Sequence, residues 1–116
     1  MTVQECYEKL HGDYNDACKR LINENFVKRF VMKFPQDPSM QQLRDAVKAG
    51  DIEVSFRAVH TLKGVAANLA LTTLYQAAWN LTEQLRPRQE QADAELLAAL
   101  EEEYKKTIEA LSEIDS

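Results

Sequence analysis

Apolar residues recur at three- and four-residue intervals along almost the whole chain, and only three glycines and three prolines punctuate its 116 residues. That interval is the repeat of an amphipathic α-helix, not the two-residue alternation of a half-buried strand, so the spacing predicts an all-α chain. No strand-like alternation, internal repeat, low-complexity tract or glycine-rich phosphate loop interrupts the pattern. A hydrophobic share of 45% supports one compact core, and a single domain over residues 1–116 is expected.

Local signals place the helices. Thr2 followed by Glu5 has capping-box form and predicts a short first helix. Gly12 is then expected to take the left-handed position at its end, with Asp13 capping the next helix. From Tyr14, the residues Cys18, Leu21, Ile22, Phe26, Phe30 and Phe34, with Val27 and Val31 alongside, predict one long helix that Pro35 halts. Its aromatic row is expected in the core. Ser39 to Gln42 offers a second capping-box pattern, and the helix it opens, carrying Met40, Leu43 and Val47, stops at Gly50.

Asp51 is expected to cap a helix running to about Leu69 or Ala70, and Thr72 or Thr73 to cap the one after. The latter has a core row of Leu74, Ala77, Ala78, Leu81 and Leu85. A neighbouring row of Tyr75, Trp79, Thr82 and Arg86 would flank the preceding helix if the two pack antiparallel. After the Arg86-Pro87-Arg88 break, the positions Ala92 through Ile114 describe a last long helix with Glu101, Glu102 and Glu103 on its wet side. Together these elements predict an antiparallel up-and-down four-helix bundle with one or two short additional helices in the N-terminal half.

Several function classes fall away early. A net charge of -5 lacks the basic field of a nucleic-acid binder. No apolar run reaches the length of a membrane span and no secretory leader opens the chain, so a cytoplasmic, membrane-independent protein is expected. Beginning at Met1 and filling one domain, it leans toward a free-standing protein. Cys6 and Cys18 lack zinc or redox spacing and are expected as buried free thiols. His11 sits at a helix end and reads as a solvated residue. No metal-ligand spacing such as HExxH occurs.

His60 is different. On a helix, Ile52, Phe56, Val59, Leu62, Ala66 and Leu69 make one apolar face, and His60 lies just off its edge. Lys63 and Gly64 are its neighbours on the next turn, and Ala67 continues the row. A largely unprotonated imidazole is a nucleophile at neutral pH. A phosphoryl group on it would need room, which Gly64 leaves, and charge compensation, which Lys63 can supply. Glycine inside a helix costs about 1 kcal/mol relative to alanine, so Gly64 calls for a reason: access to His60, or close helix packing.

The run His60-Thr61-Leu62-Lys63-Gly64, followed by Ala66-Ala67-Asn68-Leu69, resembles the signature of histidine-containing phosphotransfer (HPt) domains, the relay modules of two-component signalling. The similarity extends from about Tyr14 to the C-terminal region, through Ala49-Gly50-Asp51 and Leu74, Leu81 and Leu85. Two positions depart from the pattern: Ala70, where the family commonly has glycine, and Thr82, where a glutamine or glutamate often sits near the active histidine. The resemblance implies a helical bundle with an exposed active histidine. His60 would accept a phosphoryl group from a receiver-domain aspartate and pass it to another, with no ATP-dependent kinase activity of its own.

On this reading Lys63 compensates charge, Gly64 opens the space above the ring, and Arg57, Ala67, Asn68, Trp79 and Thr82 meet the partner. Asn68 alternatively caps the helix end, and Trp79 alternatively fills a groove between helices. No cofactor is expected on this chain, the receiver supplying Mg²⁺. The expected partners are receiver domains of response regulators and hybrid sensor kinases, with the protein a monomer and no nucleic acid bound. The alternative is an adaptor that docks a receiver or another signalling partner without carrying phosphate.

Overall fold

The structure, a computed structural model, describes residues 1–115. Among them are seven α-helices and no strand: α1 (Val3–Lys9), α2 (Tyr14–Arg20), α3 (Glu24–Lys33), α4 (Ser39–Ala49), α5 (Ile52–Asn68), α6 (Thr72–Leu85) and α7 (Ala94–Leu111), with a 3₁₀ turn at Phe34–Gln36. Helices α4 to α7 pack in sequence as an up-and-down antiparallel bundle. Leu43, Val59, Leu62, Leu74, Leu81 and Leu100 fill its centre with no exposed surface. The α4 and α7 edges close on each other where the Arg44 guanidinium bonds Glu101 at 2.9 and 3.1 Å and lies 5.3 Å from the Tyr104 ring centre.

The fourth rod is therefore α4, not the single long helix expected between Tyr14 and Phe34. That segment breaks at Leu21-Ile22-Asn23. Ile22 takes a left-handed backbone (φ 80°), and the Asn23 side chain caps α3 by accepting from the Phe26 N–H. The break rotates α3 so that Val27 and Val31 enter the core, whereas Phe26 and Phe30, expected there, face solvent. Two parallel apolar rows on one helix left that choice open, and packing made it. Three short helices, rather than one or two, thus precede the bundle.

They cover the end where α5 turns into α6. Tyr7 is fully buried, and its phenol donates to the Leu69 carbonyl at 2.6 Å. Burial pushes that phenol well above the ordinary tyrosine range. The Asp13 N–H donates to the Ala70 carbonyl at 3.0 Å while its side chain caps α2, as expected. Gly12 does not take the left-handed position; His11 does (φ 55°). Glycine stands there for space, because a Cβ would lie 2.9 Å from the Tyr7 ring and 3.0 Å from the Ala70 carbonyl oxygen. His11 itself is exposed, Cys6 is buried, Cys18 is half-buried, and both thiols are free.

The remaining caps divide. Thr2 and Glu5 form the expected reciprocal box, and Asp93 caps α7. Ser39, by contrast, is the first residue of α4, with its N–H held by the Asp37 carboxylate at 2.9 Å. Neither Thr72 nor Thr73 caps α6. Their hydroxyls donate instead to the Ala70 and Leu10 carbonyls, tying the turn to α1.

Candidate functional site

The helix that carries His60 is defined at both ends. Gly50 reverses the chain in the left-handed region (φ 72°), and the Asp51 side chain accepts from the Val54 N–H, so α4 leads into α5 within two residues. Phe56, Val59, Leu62 and Ala66 then face the core, and His60, Thr61, Gly64 and Asn68 face solvent. At the far end Leu69 terminates the helix, and Ala70 turns the chain with φ 51°. The end is thus capped by backbone, and the Asn68 side chain is left exposed.

His60 stands on the exposed side of α5 with its ring 5.7 Å from the Phe56 ring and tilted 34° to it. One turn on, a Cβ placed on Gly64 would meet nothing within 4 Å. Close helix packing is therefore not the reason for this glycine. It leaves open space beside the imidazole. Lys63 is half-buried, Ala67 is half-buried, and Arg57 is exposed and paired with Glu53 at 3.6 Å.

Helix α6 supplies the flank. Trp79 reaches the surface, with 40% of the residue exposed. Thr82 is a correction: its side chain is fully buried, and its hydroxyl donates to the Ala78 carbonyl at 2.7 Å, which removes it from any partner surface. It lies one turn from Ala78, on the α6 core stripe. The polar group that approaches from α6 is Glu83, whose carboxylate the Arg86 guanidinium holds below its ordinary range with help from the Lys63 ammonium.

Sequence reasoning missed the role of the α6–α7 loop. The Arg88 guanidinium carbon lies over Phe56 at 3.5 Å from the ring centre, with that of Arg86 at 5.5 Å from the same ring centre. Arg88 also bonds Glu53 at 3.1 Å and the Arg86 carbonyl at 2.8 Å. No periodicity links residue 88 to residue 56, so only the fold could join them.

A second surface begins two turns beyond His60. Arg20, Leu21, Phe30, Lys33, Val65 and Asn68 line an open groove of about 540 Å³ between the α2–α3 elbow and the C-terminal half of α5. Phe30 in this lining is 44% exposed, and Ile22, next in the chain after Leu21, is 78% exposed. Of the charged residues that line the groove, Arg20 and Lys33 are basic and Asp37 is acidic, and Arg20 is paired with Asp16 at 2.8 Å.

A family model described as Hpt domain matches residues 26–113. The chain belongs to the Hpt domain family. No curated protein and no solved structure matches it. Hpt domains are helical phosphocarrier bundles of two-component signalling that interact with receiver domains and have no kinase activity. The match runs from α3 through α7 and includes His60; α1, α2 and the Ile22 break lie outside it. None of the helices among the described residues is long and apolar enough to cross a membrane.

Proposed function

We propose that this Hpt domain is a phosphorelay intermediate whose phospho-acceptor is His60. The unprotonated ring nitrogen attacks the phosphorus of an aspartyl phosphate on a receiver domain. The nitrogen–phosphorus bond forms as the bond from phosphorus to the carboxylate oxygen breaks, and the carboxylate remains on the receiver. The reverse step delivers the group to a second receiver aspartate. Such a transfer rests on positioning and charge, so one imidazole on a rigid helix suffices on this side. The carrying observation is the exposed ring beside the empty space over Gly64.

Lys63 compensates the charge of the transferred group. Arg57, Ala67, Asn68 and Trp79 form the contact area, and the groove beside Asn68, lined on its apolar side by Leu21 and Phe30, extends it. Mg²⁺ would sit on the receiver, and the protein would act as a cytoplasmic monomer.

The test is transfer of radiolabel from a phosphorylated receiver into an acid-labile, alkali-stable adduct. Wild type is expected to label and His60→Gln not to label, while ATP alone labels neither. Equal labelling of the two proteins overturns the relay reading. Receiver binding with no labelled adduct would leave the adaptor role in its place.

A further inference from the structure

The arginines around His60 are held in ion pairs. Glu53 takes both Arg57, at 3.6 Å, and Arg88, at 3.1 Å, while Glu83 takes Arg86 at 2.8 Å. Arg88 is the most constrained of them. Its backbone lies in the left-handed region (φ 54°), which an L-residue rarely adopts unless its contacts hold it there. Those contacts are the Phe56 ring face, the Glu53 carboxylate and the Arg86 carbonyl. Phe56 in turn is the ring packed beside His60.

We propose that Arg88 is a charge-compensating residue for phosphorylated His60 and that Glu53 restrains it while the histidine is unmodified. The inference rests on the assignment of His60 as phospho-acceptor. A phosphoryl group adds up to about two negative charges beside the Phe56 ring. A guanidinium prefers such a group, which it meets through two parallel hydrogen bonds, to a carboxylate that it contacts through one nitrogen. Sliding across the aromatic face lets the cation shift without giving up the ring. Glu53 loses little in releasing Arg88, because Arg57 remains as its partner. Phosphorylation would thus exchange the Glu53–Arg88 pair for a phosphoryl–Arg88 pair and lengthen the life of the phosphohistidine.

The experiment uses phosphoramidate, a small donor that needs no receiver docking. Its nitrogen–phosphorus bond breaks, ammonia leaves, and the His60 nitrogen takes the phosphoryl group. Decay of phosphohistidine is then followed by ³¹P NMR at low salt, with circular dichroism confirming that each variant is helical. Arg88→Ala is expected to shorten the half-life about threefold, and Glu53→Gln to lengthen it about twofold by releasing Arg88. The double variant should decay like Arg88→Ala, and Arg88→Lys should lie between Arg88→Ala and wild type. A guanidinium that only pins the loop predicts the opposite pattern: both single variants cut the same ion pair and shift the half-life in the same direction. That pattern, or equal half-lives for wild type and Arg88→Ala, overturns the proposal. Wild type that takes no label overturns the His60 assignment and this inference with it.

Discussion

Gly64 is the residue whose environment bears most directly on the relay. Open space beyond its Cα means that a side chain there enters the room beside His60, not the core. Gly64→Gln is expected to abolish transfer from a receiver while raising helix stability by up to about 1 kcal/mol, since glutamine is the better helix former. Transfer assays and thermal unfolding check the two halves separately. Ala70 makes the complementary case. It holds a left-handed backbone where the family commonly has glycine, and it does so without the conformational freedom of that residue. Ala70→Gly should therefore gain about 1 kcal/mol in chemical denaturation, less whatever its buried methyl group contributes.

Among the elements, the α2–α3 elbow stands out. A β-branched residue at φ 80° is strained, and Ile22 also leaves 78% of its surface in water. Neither feature helps the fold. Ile22→Asn places a residue that tolerates this backbone in the same turn, and stability should rise by about 1 kcal/mol. If the elbow serves the receiver, the same change should lower kcat/KM for transfer by roughly fivefold, corresponding to about 1 kcal/mol of lost contact. Direct labelling by phosphoramidate should not change, because no receiver is involved. A variant that gains stability and keeps full transfer would place the docking area elsewhere.

For the molecule as a whole, the end cover formed by α1 to α3 is bound through Tyr7. Its phenol reaches the carbonyl at the end of the His60 helix, and burial raises its pKa. Burial pushes Tyr14 and Tyr104 the same way. A raised folded-state pKa stabilises the fold below the unfolded value, near 10 for tyrosine, and that contribution is lost as pH rises from there through the folded value. Thermal stability should accordingly show no tyrosine-linked loss between about pH 7 and 9 and decline above about 10. Tyr7→Phe should remove part of that decline while costing about 1 kcal/mol at neutral pH, because the Leu69 carbonyl loses its donor. A slope unchanged by Tyr7→Phe would mean that other groups govern the alkaline transition.

Much of this protein was legible along the chain because it depends on local geometry. Helical spacing, the Thr2, Asp13 and Asp51 caps, the Gly50 turn and the His60-Lys63-Gly64 row all involve residues within one or two turns of each other, whose relations the 3.6-residue repeat already sets. What local geometry could not decide is which of two neighbouring apolar rows on α3 is buried, that Thr82 points inward, that Gly12 makes room for Tyr7, and that Arg88 reaches Phe56. Each of these depends on elements far apart in the chain competing for the same buried space, and only close packing of the whole bundle resolves that competition.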